Sequence, residues 1–382
     1  MFDGFIELVR EVYGTKDFIP LHEPRFLGNE KKYVMDAIDS TFVSSVGAYV
    51  DKFEGDIQEI TGAKYAVATV NGTAAIHIAL LLAGVTHGDE VITQSLTFIA
   101  TCNAIRYCGA EPVFIDVDLE TLGMSSESLQ TFLDEGCEIR DDGYCWNKKT
   151  NNIIRACLPM HTFGFPVELD EINKICQRYN IILIEDAAES LGSQYKNQHT
   201  GTIGKLAALS FNGNKILTAG GGGIILTNDK KLAVQAKHIT TTAKIPHKWE
   251  FVHDETAYNY RMPNLNAALA LAQLEFLPMF LENKRRLAVR YQEWGLKNNL
   301  QFACEPKNTK SNYWLNTVIT KNKDEQLAML EYTNNNGVMT RPVWIPMHKL
   351  SMNTNCLSAK LDNTEWLSDR LVNVPSSVTL ND

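Results

Sequence analysis

The sequence lacks three features that would each indicate a particular class of protein: an excess of basic residues, paired cysteines and a long apolar segment. Lys and Arg number 36 against 45 Asp and Glu among 382 residues, which gives a net charge of −9. Binding to nucleic acid or to an anionic membrane surface needs clustered basic residues, so this balance disfavours both kinds of partner. It is compatible with a small phosphate-bearing ligand held by a few local groups.

The eight cysteines include no CxxC pair, and several lie in apolar runs, where cysteine behaves as a small hydrophobic residue. The first residues, MFDGFIELVREVYG, contain acids and no long apolar core, unlike a signal peptide. No uncharged apolar stretch approaches the ~20 residues needed to span a bilayer. We therefore expect a reduced, cytoplasmic protein without a metal site or a membrane segment.

The first two thirds of the chain alternate short β-rich runs with helical patterns. Several runs are almost continuously apolar, as expected for strands covered on both faces. Helix-like stretches lie at Ala74–Ala83, Ile99–Tyr107 and Leu169–Tyr179, and the polar stretch Glu135–Asn152 indicates a surface hairpin or insertion. The alternation predicts an α/β sheet with helices on both sides. The predicted strands are Tyr65–Val70, Glu90–Gln94, Pro112–Asp116, Ile153–Leu158, Ile181–Asp186, Ala207–Asn212 and Gly223–Thr227.

The pattern changes in the last third of the chain. A long helical segment, roughly Leu265–Gln292, precedes shorter strand and helix signals at Tyr313–Thr320 and Asp324–Asn335. We interpret residues 1–255 as a large domain and residues 256–382 as a smaller α/β domain that is attached through the long helix.

Three segments near predicted strand ends carry side chains suited to chemistry, and ligands of such sheets collect beyond the carboxyl ends of strands. The first segment, Asn71-Gly72-Thr73-Ala74, opens a helix, whose free N–H groups and positive dipole end suit a phosphate. Gly72 allows close approach of the backbone, and Thr73 adds a hydroxyl group. The same residues would also make an ordinary helix cap.

The second segment is the apolar run that ends in Glu185-Asp186. A carboxylate at the end of a buried strand has little water, so it needs a cationic or hydrogen-bonding partner. In an enzyme that uses pyridoxal phosphate (PLP), this partner is the pyridinium nitrogen, and an ionised Asp keeps that nitrogen protonated so that the ring accepts electrons. A helix cap and a metal ligand are the alternatives.

The third segment runs from Ser210 to Lys215 and precedes four glycines, Gly220–Gly223. Most lysines are solvated surface groups, but a Schiff-base lysine must lose its proton near neutral pH, which a partly desolvated pocket promotes. Ser210 is a candidate to hold the cofactor phosphate. The glycines lead into the strand Ile224–Thr227, whereas a dinucleotide-binding fingerprint follows a strand and opens a helix.

Together these segments resemble the sugar aminotransferases of the DegT/DnrJ/EryC1/StrS family, a branch of the fold-type-I PLP enzymes. The likeness runs from about Pro20 to Gln273 and continues weakly to the C-terminus. Any one block is weak, but five blocks in the family's order and approximate spacing are specific. The matching blocks are Asn71-Gly72-Thr73-Ala74-Ala75, Leu96-Thr97-Phe98, Glu185-Asp186-Ala187-Ala188-Glu189-Ser190-Leu191-Gly192, Ser210-Phe211-Asn212-Gly213-Asn214-Lys215 and Asn259-Tyr260-Arg261-Met262.

The resemblance implies the α/β fold of a fold-type-I PLP-dependent transferase. This fold has a large, mostly parallel seven-stranded sheet domain with helices on both faces, and a smaller C-terminal α/β domain. The resemblance also implies pyridoxal 5'-phosphate as the cofactor, with L-glutamate and a nucleotide-linked keto-sugar as substrates. It implies a homodimer with its active sites at the subunit interface.

The resemblance also assigns roles to individual residues. Lys215 would form the Schiff base and shuttle protons, Asp186 would pair with the pyridine nitrogen, and Phe98 would stack on the ring. Core packing is the alternative for Phe98, and a loop cap is the alternative for Asn259. The residues implied to bind the phosphate are Gly72, Thr73, Ala74, Ser210 and, from the neighbouring subunit, Asn259.

Two positions depart from common family variants. Glu189 occupies a place near the cofactor ring that is often held by His or Gln, and Gly221 stands where a glutamate often precedes the last two glycines. Lys215 and Asp186 are intact, so we expect these departures to affect substrate preference rather than to abolish transamination.

Three further residues are candidates for substrate binding. His161 follows a predicted strand, and His348 lies in the C-terminal part, from which it would approach the substrate. Arg261 suits an anionic donor or a sugar phosphate, but it suits a dimer contact equally. A lone histidine is more often structural, which is the other interpretation for both His161 and His348.

Within the family, the likeness is greatest to the branch that aminates C4 of UDP-linked 4-keto-6-deoxy-N-acetylhexosamines in bacillosamine and legionaminic-acid pathways of bacterial surface glycans. The segments that carry it are Phe18–Phe26, Phe42–Gly47 and the Phe-Asn-Gly-Asn-Lys sequence around Lys215. GDP-linked 4-keto-6-deoxy-mannose is a rival substrate. A PLP sugar dehydratase is a second alternative, although the known deoxysugar variant replaces the lysine with histidine. A non-catalytic PLP-binding regulator is the third.

Overall fold

The computed structural model describes residues 2–379. The α-helices in this range are α1 Phe2–Tyr13, α2 Glu30–Asp39, α3 Ala48–Thr61, α4 Gly72–Leu82, α5 Ile99–Tyr107, α6 Ser126–Gly136, α7 Leu169–Arg178, α8 Lys230–Thr240, α9 Asn264–Leu274, α10 Leu277–Asn298, α11 Lys323–Asn335 and α12 Asp362–Ser368. Short 3-10 helices lie at Thr162–Gly164, Met347–Lys349 and Ser351–Asn353. The strands are β1 Tyr65–Thr69, β2 Glu90–Gln94, β3 Glu111–Ile115, β4 Cys137–Ile139, β5 Cys145–Asn147, β6 Ile153–Leu158, β7 Ile182–Asp186, β8 Gln194–Tyr195, β9 Gln198–His199, β10 Leu206–Ser210, β11 Gly223–Thr227, β12 Gln301–Phe302, β13 Thr309–Lys310, β14 Asn316–Ile319, β15 Arg341–Pro342 and β16 Leu371–Val374.

The large sheet confirms the predicted α/β fold. Its main path has seven strands in the order β1-β11-β10-β7-β6-β2-β3. The strands from β10 to β3 along this path pair in parallel, whereas β11 runs antiparallel to both of its neighbours. The antiparallel pair β4–β5 extends the sheet from β6 and forms the hairpin predicted at Glu135–Asn152. The carboxyl ends of the parallel strands therefore meet at one edge.

Side chains on alternating positions of the central strands enter two different cores. In β10, Leu206 and Ala208 belong to one buried cluster, and Ala207 and Leu209 belong to another. Successive residues of a strand point to opposite faces, so both faces of the sheet are covered. Because both faces of these strands are buried, their residues form continuous apolar runs in the sequence.

A smaller antiparallel sheet, β12-β14-β16-β15, forms the C-terminal part. The N-terminal helix α1 packs against it, since Phe5 and Val9 share a buried cluster with Val318 and Val372. The division of the chain at residue 255 stays a prediction.

The predicted helix Leu265–Gln292 is interrupted in the structure. Helices α9 and α10 replace it, and their axes are bent by 60° relative to each other. Pro278 lies in the first turn of α10, where its missing N–H is tolerated, but its ring disfavours a continuous helix through the preceding residue. Within residues 2–379 no single helix is long and apolar enough to cross a bilayer, although this bent pair meets the length and composition criteria when taken together.

Lys284 is fully buried on α10. Its ammonium group donates to the backbone oxygen of Trp314 at 3.1 Å and to that of Ser376. Burial lowers the pKa of Lys284 to about 7. This side chain therefore joins α10 to two separate segments of the C-terminal part.

We expect Lys284 to make the protein more stable as the pH rises above about 7. A lysine of the unfolded chain keeps its proton up to its ordinary pKa of 10.5, whereas the buried amine of the folded chain releases it near 7. Between these values the unfolded state binds more protons, so the free energy of unfolding increases with pH, by up to about 1.4 kcal/mol per pH unit. Urea denaturation of wild type and Lys284→Met across this range measures the slope.

Lys284→Met should lose most of this slope, and Lys297→Met on the exposed face of the same helix should keep it. Equal slopes in the wild type and Lys284→Met would contradict the assignment.

Candidate active site

The start of α4 and the end of β10 form a cradle at the carboxyl edge of the sheet. The Asn71 side chain caps α4 by accepting a hydrogen bond from Ala74 N at 2.8 Å. A Cβ atom on Gly72 would lie 2.8 Å from Ser210 Cβ and 3.0 Å from Ser210 Oγ. Only glycine therefore lets the helix start this close to Ser210.

The cradle has the groups that a phosphate needs. The first N–H groups of a helix have no intrahelical partner, which leaves those of Gly72 and Thr73 for a ligand. The hydroxyls of Thr73 and Ser210 add two more donors. The amide of Ala74 already donates to Asn71, so its predicted part in phosphate binding has less support than the parts of Gly72 and Ser210.

Gly72→Ala is expected to weaken PLP binding by about tenfold or more. The added methyl group cannot lie 2.8 Å from Ser210 Cβ, so either the helix start or β10 must move, and the phosphate donors move with it. Titration of the apoprotein with PLP measures the dissociation constant. Gly213→Ala is the matched control, because a Cβ there meets no atom within 4 Å. An unchanged dissociation constant in Gly72→Ala would remove the cradle from the phosphate site.

Asp186 is the last residue of β7 and is buried. Its Oδ2 accepts from Thr101 Oγ1 at 2.7 Å, and its Oδ1 accepts from Ala188 N at 3.2 Å. Burial raises the pKa of Asp186, and the hydrogen bond from Thr101 opposes this shift. A fixed carboxylate with little water would be stabilised by a cationic partner, which fits a protonated pyridine nitrogen.

Lys215 lies in the loop after β10, and its side chain is only 12% exposed. Its Nζ is 3.0 Å from Glu189 Oε1 and 4.0 Å from the centroid of the Trp314 ring. The indole N–H of Trp314 donates to the backbone oxygen of Asn214 at 2.7 Å, which ties the lysine loop to the C-terminal part. This is the partly desolvated setting that a Schiff-base lysine needs.

Glu189 is buried, and both its carboxylate and its backbone oxygen accept hydrogen bonds. Its second oxygen, Oε2, accepts from Phe163 N at 2.9 Å, and its backbone oxygen accepts from Asn312 Nδ2 at 2.9 Å. Burial raises the pKa of Glu189, and the positive charge of Lys215 opposes this shift. Glu189 therefore orients the amine of Lys215, and its place near the cofactor ring stays a prediction.

Aromatic side chains line the same region. Phe98, immediately before α5, is 46% exposed, and its ring centroid is 6.1 Å from that of Trp344. Trp344 in turn lies 5.2 Å from Phe163, centroid to centroid. An exposed phenyl ring next to Trp344 is suited to stack on a planar ring.

The two predicted histidines have protein partners on both ring nitrogens. His161 is buried, with Nε2 3.0 Å from Glu185 Oε2 and Nδ1 accepting from Val167 N at 3.3 Å. His348 Nδ1 lies 2.7 Å from Ser95 Oγ, and its Nε2 lies 2.8 Å from a Glu365 oxygen. These contacts favour the structural interpretation over substrate binding for both residues.

Arg261 and Asn259 lie in the segment between α8 and α9, and Arg261 forms a β-bridge with Thr69 of β1, just before the cradle. Arg261 donates to Ser45 Oγ and to the backbone oxygen of Thr241, both at 3.3 Å, and its buried Nε has no partner within residues 2–379. Asn259 is exposed and forms a β-bridge with Thr241. Within the described chain neither residue contacts Lys215 or Asp186, so a role in a neighbouring subunit's site stays a prediction.

Thr101, Trp314 and Trp344 were not among the predicted site residues. Thr101 lies one helical turn from Phe98, so the Leu96-Thr97-Phe98 block offered a signal for it. Trp314 and Trp344 come from the C-terminal part, and no local pattern relates them to a lysine 99 and 129 positions earlier.

Comparison with known proteins agrees with this geometry. Residues 26–382 match the DegT/DnrJ/EryC1/StrS aminotransferase family. A GDP-perosamine synthase of Escherichia coli O157:H7 is 36% identical over 364 residues, which cover 95% of this chain and 94% of that relative. A GDP-perosamine synthase of Vibrio cholerae is 34% identical over an alignment that covers 87% of this chain and 87% of that relative.

The fold is shared as well. The crystal structure of a DegT DnrJ EryC1 StrS aminotransferase from Brucella abortus superimposes with a TM-score of 0.83 at 26% identity, covering 93% of this chain and 91% of that one. The protein is an enzyme with PLP as its cofactor. The chain belongs to the DegT/DnrJ/EryC1/StrS family of PLP-dependent sugar aminotransferases.

Proposed function

We propose that this chain transfers the amino group of L-glutamate to C4 of a nucleotide-linked 4-keto-6-deoxy sugar in bacterial surface-glycan biosynthesis. The observation that carries the proposal is the placement of Lys215, Asp186 and the Gly72–Ser210 cradle at one edge of the sheet. Together these groups offer an amine, a buried anion and a phosphate site, which are the three attachments that PLP requires.

When bound, PLP supplies an electron sink for the carbon that gives or receives the amino group. Asp186, fixed by Thr101 and Ala188, would hold a proton on the ring nitrogen. The amine of Lys215 would remove a proton from the α-carbon of the donor in the first half-reaction. In the second half-reaction it would supply a proton to C4 of the acceptor sugar. Positioned proton transfer of this kind contributes ~10²–10⁴-fold to the rate.

The aromatic residues around the lysine would keep water away from these transfers. Trp314 lies against the Lys215 ammonium group, Phe163 packs against Trp314, and Trp344 packs against Phe163. Exclusion of water strengthens the interaction of Lys215 with Glu189 and prevents loss of the proton to solvent.

Two observations favour different acceptor sugars. The N-terminal segments Phe18–Phe26 and Phe42–Gly47 favour a UDP-linked 4-keto-6-deoxy-N-acetylhexosamine, as used in bacillosamine and legionaminic-acid pathways. The similarity to GDP-perosamine synthases favours GDP-linked 4-keto-6-deoxy-mannose. Both acceptors have a keto group at C4 and a methyl group at C5, so the proposed reaction is the same for either.

We also propose a homodimer, with active sites at the interface and with Asn259 reaching the neighbouring phosphate. An exposed apolar surface between residues 26 and 46 supports it, because monomers rarely leave so many large apolar side chains in water. These side chains are Phe26, Leu27, Met35, Ile38, Phe42, Val43 and Val46. A cytoplasmic location is supported by the eight unpaired cysteines.

The absorbance spectrum of the purified protein with PLP, before and after L-glutamate, tests the reaction. We expect a visible band from lysine-bound PLP that glutamate removes, and that one of the two keto-sugars restores. A band that glutamate leaves unchanged would argue for a passive PLP-binding protein or a different donor. Restoration by the UDP-sugar alone, or by the GDP-sugar alone, identifies the acceptor.

A further inference from the structure

Both ring nitrogens of His22 are buried, and neither has a hydrogen-bond partner among residues 2–379. Buried polar atoms are paired in about 90% of cases or more, so a ring with two unpaired nitrogens is unusual. An unpaired nitrogen in this setting costs the desolvation that a hydrogen bond would offset. The described residues therefore leave both nitrogens of the imidazole available to a ligand or to water.

A continuous set of contacts connects His22 with Lys215, and the charge of Lys215 acts on the His22 ring. The backbone of its neighbours, Leu21 and Glu23, is hydrogen-bonded to the C-terminal segment Ser376–Ser377. Lys284 donates to that segment and to Trp314, whose ring lies 4.0 Å from the Lys215 ammonium nitrogen.

The charges around His22 decide what kind of group it can bind. Burial lowers the pKa of His22 well below its usual value, and the positive charges of Lys284 and Lys215 lower it further. The ring is therefore neutral, with one N–H donor and one acceptor nitrogen. Such a ring suits a neutral group that both donates and accepts, whereas a phosphate or carboxylate would prefer a charged donor.

We infer that His22 is a specificity residue, and that its imidazole hydrogen-bonds to a hydroxyl or acetamido group on the sugar ring held beside Lys215. The inference rests on the proposed function, since it requires a sugar at this site. The amino donor L-glutamate, whose polar groups are charged at neutral pH, would not need His22. His22 therefore selects the acceptor sugar in the second half-reaction and has no part in binding the amino donor.

Calorimetric binding to the PLP-loaded protein tests the inference without turnover. The ligands are UDP-N-acetylglucosamine and GDP-mannose, which lack a keto group, and UDP and GDP, which lack the sugar. In His22→Phe we expect about tenfold weaker binding of the sugar nucleotide, equivalent to about 1.4 kcal/mol. Binding of the matching nucleoside diphosphate should change by less than about twofold.

Two further variants separate hydrogen bonding from structure. His22→Asn keeps a donor and an acceptor and should recover part of the lost affinity, whereas His22→Leu should behave like His22→Phe and replaces it if the phenylalanine variant does not fold. His87→Phe, at an exposed turn, is the control for a histidine-to-phenylalanine change. Removal of the visible PLP band by L-glutamate should proceed at the wild-type rate in His22→Asn.

Equal weakening for sugar nucleotide and nucleotide, or no weakening, would overturn the inference and leave water as the partner of His22. Failure of the wild-type protein to bind any of the four ligands would overturn the proposed substrate class as well. Binding by the wild type without an effect of His22 would overturn only the role of His22.

Discussion

Replacing Lys215 with alanine is expected to abolish transamination and the visible absorbance of lysine-bound PLP. The variant loses the amine that lies against the Glu189 carboxylate and the Trp314 ring, and with it both the attachment of the cofactor and the proton carrier. The proton transfer alone accounts for ~10²–10⁴-fold, so the total loss should reach the upper end of that range or beyond. Steady-state turnover with glutamate and the accepted keto-sugar, together with a spectrum, measures both effects.

Two further variants test whether the loss of activity is specific to a neutral amine at Lys215. Lys215→Arg keeps a positive charge beside Glu189 but cannot lose its proton, so it should fold normally and be equally inactive. Lys205→Ala removes a half-exposed lysine that pairs with Asp229 and should retain wild-type activity. Substantial turnover by Lys215→Ala would exclude Lys215 as the catalytic amine.

The second large effect is expected for Asp186→Asn, which should lower turnover by ~10²–10⁴-fold, the range of a positioned proton-transfer group. The amide has nearly the same shape, its oxygen can still accept from Ala188 N, and its NH2 group can donate to Thr101 Oγ1, so the strand end should be preserved. It carries no negative charge, however, and cannot hold a proton on the cofactor ring, which weakens the electron sink. Single-turnover rates of each half-reaction, with the PLP dissociation constant, are the measurements.

Thr101→Val is the comparison for Asp186→Asn. It leaves the Asp186 charge in place and removes one hydrogen bond of 2.7 Å, so the loss should be about tenfold or less. If Asp186→Asn is no more impaired than Thr101→Val, the charge of Asp186 has no catalytic part.

The large sheet was predictable because its strands are buried on both faces. Each of the seven predicted strands lies within two residues of the observed one; Gly223–Thr227, for example, is observed unchanged. The break between α9 and α10 was missed because helical periodicity continues on both sides of Phe276, and Pro278 is compatible with the first turn of a second helix. Local pattern therefore identified the elements but not their change of direction.

The candidate site was predictable where its residues belong to strand ends. Asp186 and Ser210 end parallel strands, and Gly72 begins the helix after β1, so one topological rule brings them to the same edge. Trp314 and His22 are different, because the contact of Trp314 with Lys215 and the contacts that connect His22 to Trp314 depend on how separate segments pack around Lys284. No spacing in the sequence encodes that packing.

The position of β16 has a consequence for the order in which the chain folds during synthesis. The strand pairs with both β14 and β15, so it is central to the small sheet, and its Val372 and Val374 join Phe5 and Val9 of α1 in one core. All the strands of the large sheet have been synthesised by residue 227, whereas the apolar face of the first helix must wait until β16 has been translated. Helix α1 would thus be a chaperone-binding and protease-sensitive segment of the nascent chain until β16 emerges.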